Sequence, residues 1–89
     1  MDIKRKFDEI VLDLEDDIRR GRAGWRPATL SEFVEVAVGR LEAEMIQSLQ
    51  ARLRQGMAEE IIALEARSLA RQIEDLGREE ELWLRLGIR

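Results

Sequence analysis

Apolar residues first recur at Ile3, Phe7, Ile10, Val11, Leu14 and Ile18, in steps of three and four that fall on one helical stripe. Asp2 precedes the stripe as an N-cap, and Gly21 follows Arg19-Arg20, which place cations at the negative end of the helix dipole. The pattern predicts a helix over residues 3–20. Its opposite face carries Asp8, Glu9, Asp13, Glu15, Asp16 and Asp17 and is expected to be solvated.

The periodicity stops between Gly21 and Ala28, where Gly24 and Pro27 interrupt it and Pro27 disfavours helix at Arg26. Thr29-Leu30-Ser31-Glu32 then reads as a capping box, Thr29 capping the amides of the next turn and Glu32 reaching back to the Thr29 amide. A second helix is predicted over 30–55. Its stripe runs through Phe33, Val34, Ala37, Val38, Leu41, Met45, Leu49 and Leu53, and Val36, Ala43 and Ile46 widen it beyond one face. Such a helix is expected to be contacted on two sides. Gly39 in its interior costs about 1 kcal/mol relative to Ala, a cost that close approach of another backbone would offset or that the helix simply tolerates.

Met57, Ile61, Leu64, Leu69, Ile73 and Leu76 continue the stripe beyond Gly56. Gly56 either ends the second helix or lies inside a single helix reaching about residue 76. Arg52 and Arg54 before it and Glu59 and Glu60 after it are the charge order of one helix ending and another beginning, so a turn is favoured. The third helix is then expected over 57–76, ending at Gly77. Glu79-Glu80-Glu81 would open a short fourth helix over 79–86, with Leu82, Trp83 and Leu86 available to pack. Read with period two, the same tail is an extended segment with Leu82, Leu84, Leu86 and Ile88 on one side. The fold expected is all-α: a single helical domain over residues 1–89, an antiparallel bundle of three main helices plus a short C-terminal one, completed by oligomerisation.

Composition narrows the chemistry. Leu, Ala, Arg and Glu supply 47 of 89 residues, the usage of amphipathic helices, and the chain has no Cys, His or Tyr. Transition-metal sites, disulfides, thiol chemistry and Ser-His pairs lose their usual residues, so neither metal nor cofactor is expected. A di-metal carboxylate site in a bundle would lack its histidines. The longest apolar run, Ile61-Ile62-Ala63-Leu64, is far short of the roughly 20 residues that cross a bilayer, and no export signal is read near Lys4-Arg5-Lys6. A cytoplasmic protein that does not enter membranes is expected.

Net charge is −4 but unevenly divided, with +4 over residues 18–30 and −8 elsewhere. The basic stretch contains Arg19, Arg20, Arg22 and Arg26 with Trp25 among them, residue types that hold phosphates and stack on a base. The plainer role is a helix end complemented by arginine, with Trp25 folded back on the bundle and the arginines pairing with acidic residues of another subunit. Thr29-Leu30-Ser31-Glu32-Phe33-Val34-Glu35-Val36-Ala37 resembles the second helix of ribbon-helix-helix repressors, a likeness that implies a phosphate contact at its N-terminus. Here the chain opens on a helical pattern where those repressors have a DNA-reading strand. Arg-based catalysis in the manner of the all-helical chorismate mutases is a lesser alternative. It would need basic residues on inner helix faces, whereas Lys4 and Lys6 lie at the N-terminus.

More apolar helix face is present than a small monomer hides. The function expected is therefore a helical oligomerisation or protein-interaction module, an accessory subunit, adaptor or assembly factor, forming a homodimer or higher homo-oligomer. Its candidate contact residues are Val34, Val38, Leu41, Met45, Leu49 and Leu53, with Ile61, Leu64, Leu69 and Trp83. The alternative is a nucleic-acid-associated regulator, antitoxin-like or repressor-like, working through Arg19, Arg20, Arg22, Trp25 and Arg26.

Overall fold

The computed structural model describes residues 2–22, 24 and 26–87, and among these the regular structure is entirely helical. Helix α1 spans Ile3–Arg19, α2 Leu30–Arg54 and α3 Glu59–Leu86. The Asp2 carboxylate accepts the Arg5 amide at 3.1 Å and caps α1. At α2 half of the capping box forms as expected, Thr29 Oγ1 accepting the Glu32 amide, whereas Glu32 accepts from the Ala28 amide and not from that of Thr29.

Gly21 and Gly56 close α1 and α2 in the same way. Each has a left-handed φ, 72° and 92°. The amides of Gly21 and Arg22 reach back to Ile18 and Asp17, and those of Gly56 and Met57 to Leu53 and Arg52. This pairing satisfies carbonyls that a helix end leaves open and turns the chain sharply. The turn at Gly56 makes α2 and α3 an antiparallel hairpin. Its register is marked by Ser31 against Glu81, Val38 against Gly77, and Arg52 against Glu65.

Gly77 does not end a helix. It is buried in the middle of α3, and a methyl group at this position would lie 2.9 Å from Val38 Cγ2 and 3.7 Å from Val34 Cγ1. The glycine marks where α2 and α3 come together, so residues 57–76 and 79–86 are not two helices; Glu59–Leu86 is one. Nor is the tail extended as far as Leu86; Ile88 lies outside the described residues. Gly39 is exposed and has nothing within 4 Å of its added carbon, so of its two readings the helix tolerates it and no close approach requires it.

Helix α1 lies against both arms of the hairpin. It runs antiparallel to α2, with Lys6 Nζ 3.3 Å from Glu44 near its start and Ile18 beside Leu30 and Phe33 at its end. Helix α2 is thus contacted on two sides, although Ala43 and Ile46, two of the residues that widen its stripe, remain exposed. Phe7, Val11, Leu14, Ala37, Leu41 and Ile73 form the most deeply buried part of the core.

Candidate interaction surface

Helix lengths position the surface. At 1.5 Å per residue α1 is about 25 Å long and α3 about 42 Å, the latter matching the 42 Å long axis of the molecule. Ile3 meets α3 beside Gln72, Leu76 and Glu79, so residues 59–71 project beyond the start of α1. The far parts of α2 and α3 therefore cross that stretch as a two-helix layer. Their facing sides still pack, with Met45, Leu49 and Ile62 buried and Arg52 paired to Glu65. Their outer sides are apolar and exposed: Ile46, Leu53, Met57, Ile61 and Leu64, with Leu64 67% accessible.

The candidate contact residues separate accordingly. Val34, Leu41, Met45 and Leu49 are buried within the chain, and Val38 and Leu69 are half-buried against the same core. Leu53, Ile61 and Leu64 remain at the surface. Trp83 is half-buried on α3, and its Nε1 donates to Glu79 on the same helix at 3.1 Å. Ile46 and Met57 join the exposed group although neither was singled out as a contact. Ile46 is visible in the sequence as a residue widening the α2 stripe and Met57 as the first of the stripe beyond Gly56, although Met57 lies in the turn before α3.

Electrostatics at the opposite end disperse the basic stretch. Arg19, Arg20 and Arg22 converge on Asp16 at 2.7, 3.0 and 2.8 Å, and Arg22 also meets Asp17 at 3.2 Å. The hydrogen bond from Arg19, with the charges of Arg20 and Arg22, holds the Asp16 carboxyl below its ordinary value against an opposing desolvation effect. Three of the candidate phosphate-binding arginines thus face acidic groups of their own helix. Arg26 is exposed, and Trp25 lies outside the described residues. Pro27, Leu30, Phe33, Ile18 and Leu84 border an open apolar depression of about 610 Å³ beside this loop.

Glu79-Glu80-Glu81, expected to be solvated at the start of a helix, lie instead deep within α3. Glu80 is 2% exposed on the side that faces the core. Glu81 accepts from Ser31 Oγ at 2.6 Å and from Arg85, which joins the two long helices. The Ser31 hydrogen bond and then that of Arg85 hold the Glu81 carboxyl below its ordinary value. Among the described residues no group of three or more Asp or Glu side chains converges as a metal site would need, and no helix is long and apolar enough to cross a membrane.

Compared with family models, with curated proteins and with solved structures, the chain finds no match.

Proposed function

We propose that this protein is a helical interaction module, an accessory subunit, adaptor or assembly factor that binds another protein through the projecting end of the α2–α3 hairpin. One observation carries the reading: the hairpin outruns α1, and its outer sides there hold Ile46, Leu53, Met57, Ile61 and Leu64. Among the described residues five of the nine exposed large hydrophobics lie there, the others being Leu12, Leu30, Leu82 and Leu86, and apolar groups gathered in one region mark an interaction site better than scattered single ones do. Fold alone does not name the partner's pathway. The chemistry of the surface calls for a partner with an apolar helical face, a helix laid into or against the two-helix layer.

Site-specific photo-cross-linking tests the reading. A photoreactive residue at position 64 should yield discrete protein adducts in cells, while the same group at the exposed Glu9 on α1 should not. If position 64 yields no more adduct than position 9, the interaction reading is wrong.

A further inference from the structure

We infer that the outer side of the first half of α3 pairs with the same side of a second copy, antiparallel and two-fold symmetric about Leu64. The inference rests on the interaction reading above and names its partner. Residues 60, 61, 64, 67, 68 and 71 share the side of α3 opposite Ile62, Ala66, Leu69 and Ile73, which pack inward. Ile61 and Leu64 are exposed there at 55% and 67%. Glu60 lies on their N-terminal side, Arg67 and Arg71 on their C-terminal side.

That order is self-complementary. Reversing the helix about Leu64 sets Leu64 against its own copy and carries Glu60, four residues or about 6 Å from the axis, to a point between Arg67 and Arg71 of the other chain. Nothing within the chain competes for these charges, because among the described residues none of the ion pairs includes Glu60, Arg67 or Arg71. In contrast Arg78 and Arg85, further along α3, are paired to Glu74 and Glu81.

Whole-chain charge favours the same arrangement. Residues 46–71 hold four Arg and three Glu, a net of +1, whereas the rest of the chain sums to −5. Two copies overlapping by their hairpin ends bring the nearly neutral parts together and send the acidic parts to opposite ends, which minimises like-charge repulsion. Leu12, also exposed, has no such fit: Asp8 and Glu9 before it are already paired with Lys4, Arg5 and Lys6, and Asp13 and Glu15 after it supply no cation to match them. The overlap is about 20 Å of two helices, at the small end for a stable interface, so the association is weak and concentration-dependent.

Sedimentation equilibrium of the full chain from micromolar to millimolar concentration tests the proposal. A monomer–dimer equilibrium is expected. Leu64→Glu should raise its dissociation constant about thirtyfold or more, the loss typical of a central interface contact. Leu12→Glu should leave it unchanged, with circular dichroism showing that both variants are folded. Glu60→Arg alone and the double variant Arg67→Glu/Arg71→Glu alone should each fail to dimerise, yet mixing the two should restore a dimer, because opposite charges then face each other at both ends. A dimer indifferent to these changes, or no recovery on mixing, overturns the inference. So does a monomer at every concentration; if position 64 nevertheless cross-links to a different protein, only the self-pairing fails and the interaction reading stands.

Discussion

Single side chains set how this molecule responds to acid. Asp16 gathers Arg19, Arg20 and Arg22, and Glu81 accepts from Ser31 and Arg85, so both carboxyls are held below their ordinary values. The unfolded chain, with ordinary carboxyls, takes up these protons first as pH falls. Their contribution is complete above the unfolded-state values of about 4 and is lost as the pH drops through the lower folded-state values. The thermal midpoint should therefore decline as pH is lowered from 5 towards 3, and Asp16→Asn and Glu81→Gln should each make that decline shallower. Equal slopes for wild type and both variants would contradict the assignment. These clusters also show what residue type conceals: four arginines in one short stretch look like an anion site, yet three of them face Asp16 and Asp17 in the last turn of α1.

At the level of elements, two interior glycines make opposite contributions. Gly39 is exposed on α2 with open space around it, so Gly39→Ala should stabilise the protein by up to about 1 kcal/mol through helix propensity. Gly77 is buried against the stiff, branched Val38, and an added carbon would lie 2.9 Å from it. Overpacking costs about 1–3 kcal/mol and outweighs the propensity gain, so Gly77→Ala should destabilise. Denaturant unfolding of the two variants reads the signs directly, and a stabilised Gly77→Ala would remove the close approach as an explanation. The distinction between a glycine that stops a helix and one that lets helices meet was partly legible. Gly21 and Gly56 follow arginines, as a helix C-terminus favours, whereas Gly77 follows Glu74 and Asp75, the wrong charge for an ending. Residue type alone makes Gly77 read as a stop, while the acidic charge before it argues for the continuous helix that forms.

On the scale of the whole molecule, unequal helices give an unequal body. The radius of gyration is 14.7 Å, against about 12 Å expected for a compact chain of this length. The excess comes from the hairpin end that α1 does not reach. A two-helix layer buries less apolar surface than a three-helix one and opens more readily. Native-state hydrogen exchange should find amides of 46–54 and 59–66 less protected than those of 34–42 and 73–80, with protection at the hairpin end rising as protein concentration increases. Uniform protection across α2 and α3 at low concentration would show that the end is no weaker than the body.

Sequence by itself determined the all-helical class and the beginnings of α1 and α2 and favoured the turn at Gly56 over a continuous helix, because caps, glycine stops and a period near 3.6 act over a few neighbouring residues. It also named Leu53, Ile61 and Leu64 as contact candidates alongside Val34, Leu41, Met45 and Leu49. Tertiary structure alone decided which of these lie inside the chain, since that depends on how far α1 reaches along the hairpin. Periodicity records which side of a helix is apolar, and only packing settles whether the chain itself covers it. Glu80 taught the reverse: a residue whose type belongs in water lies buried because its place on the continuous α3 faces the core.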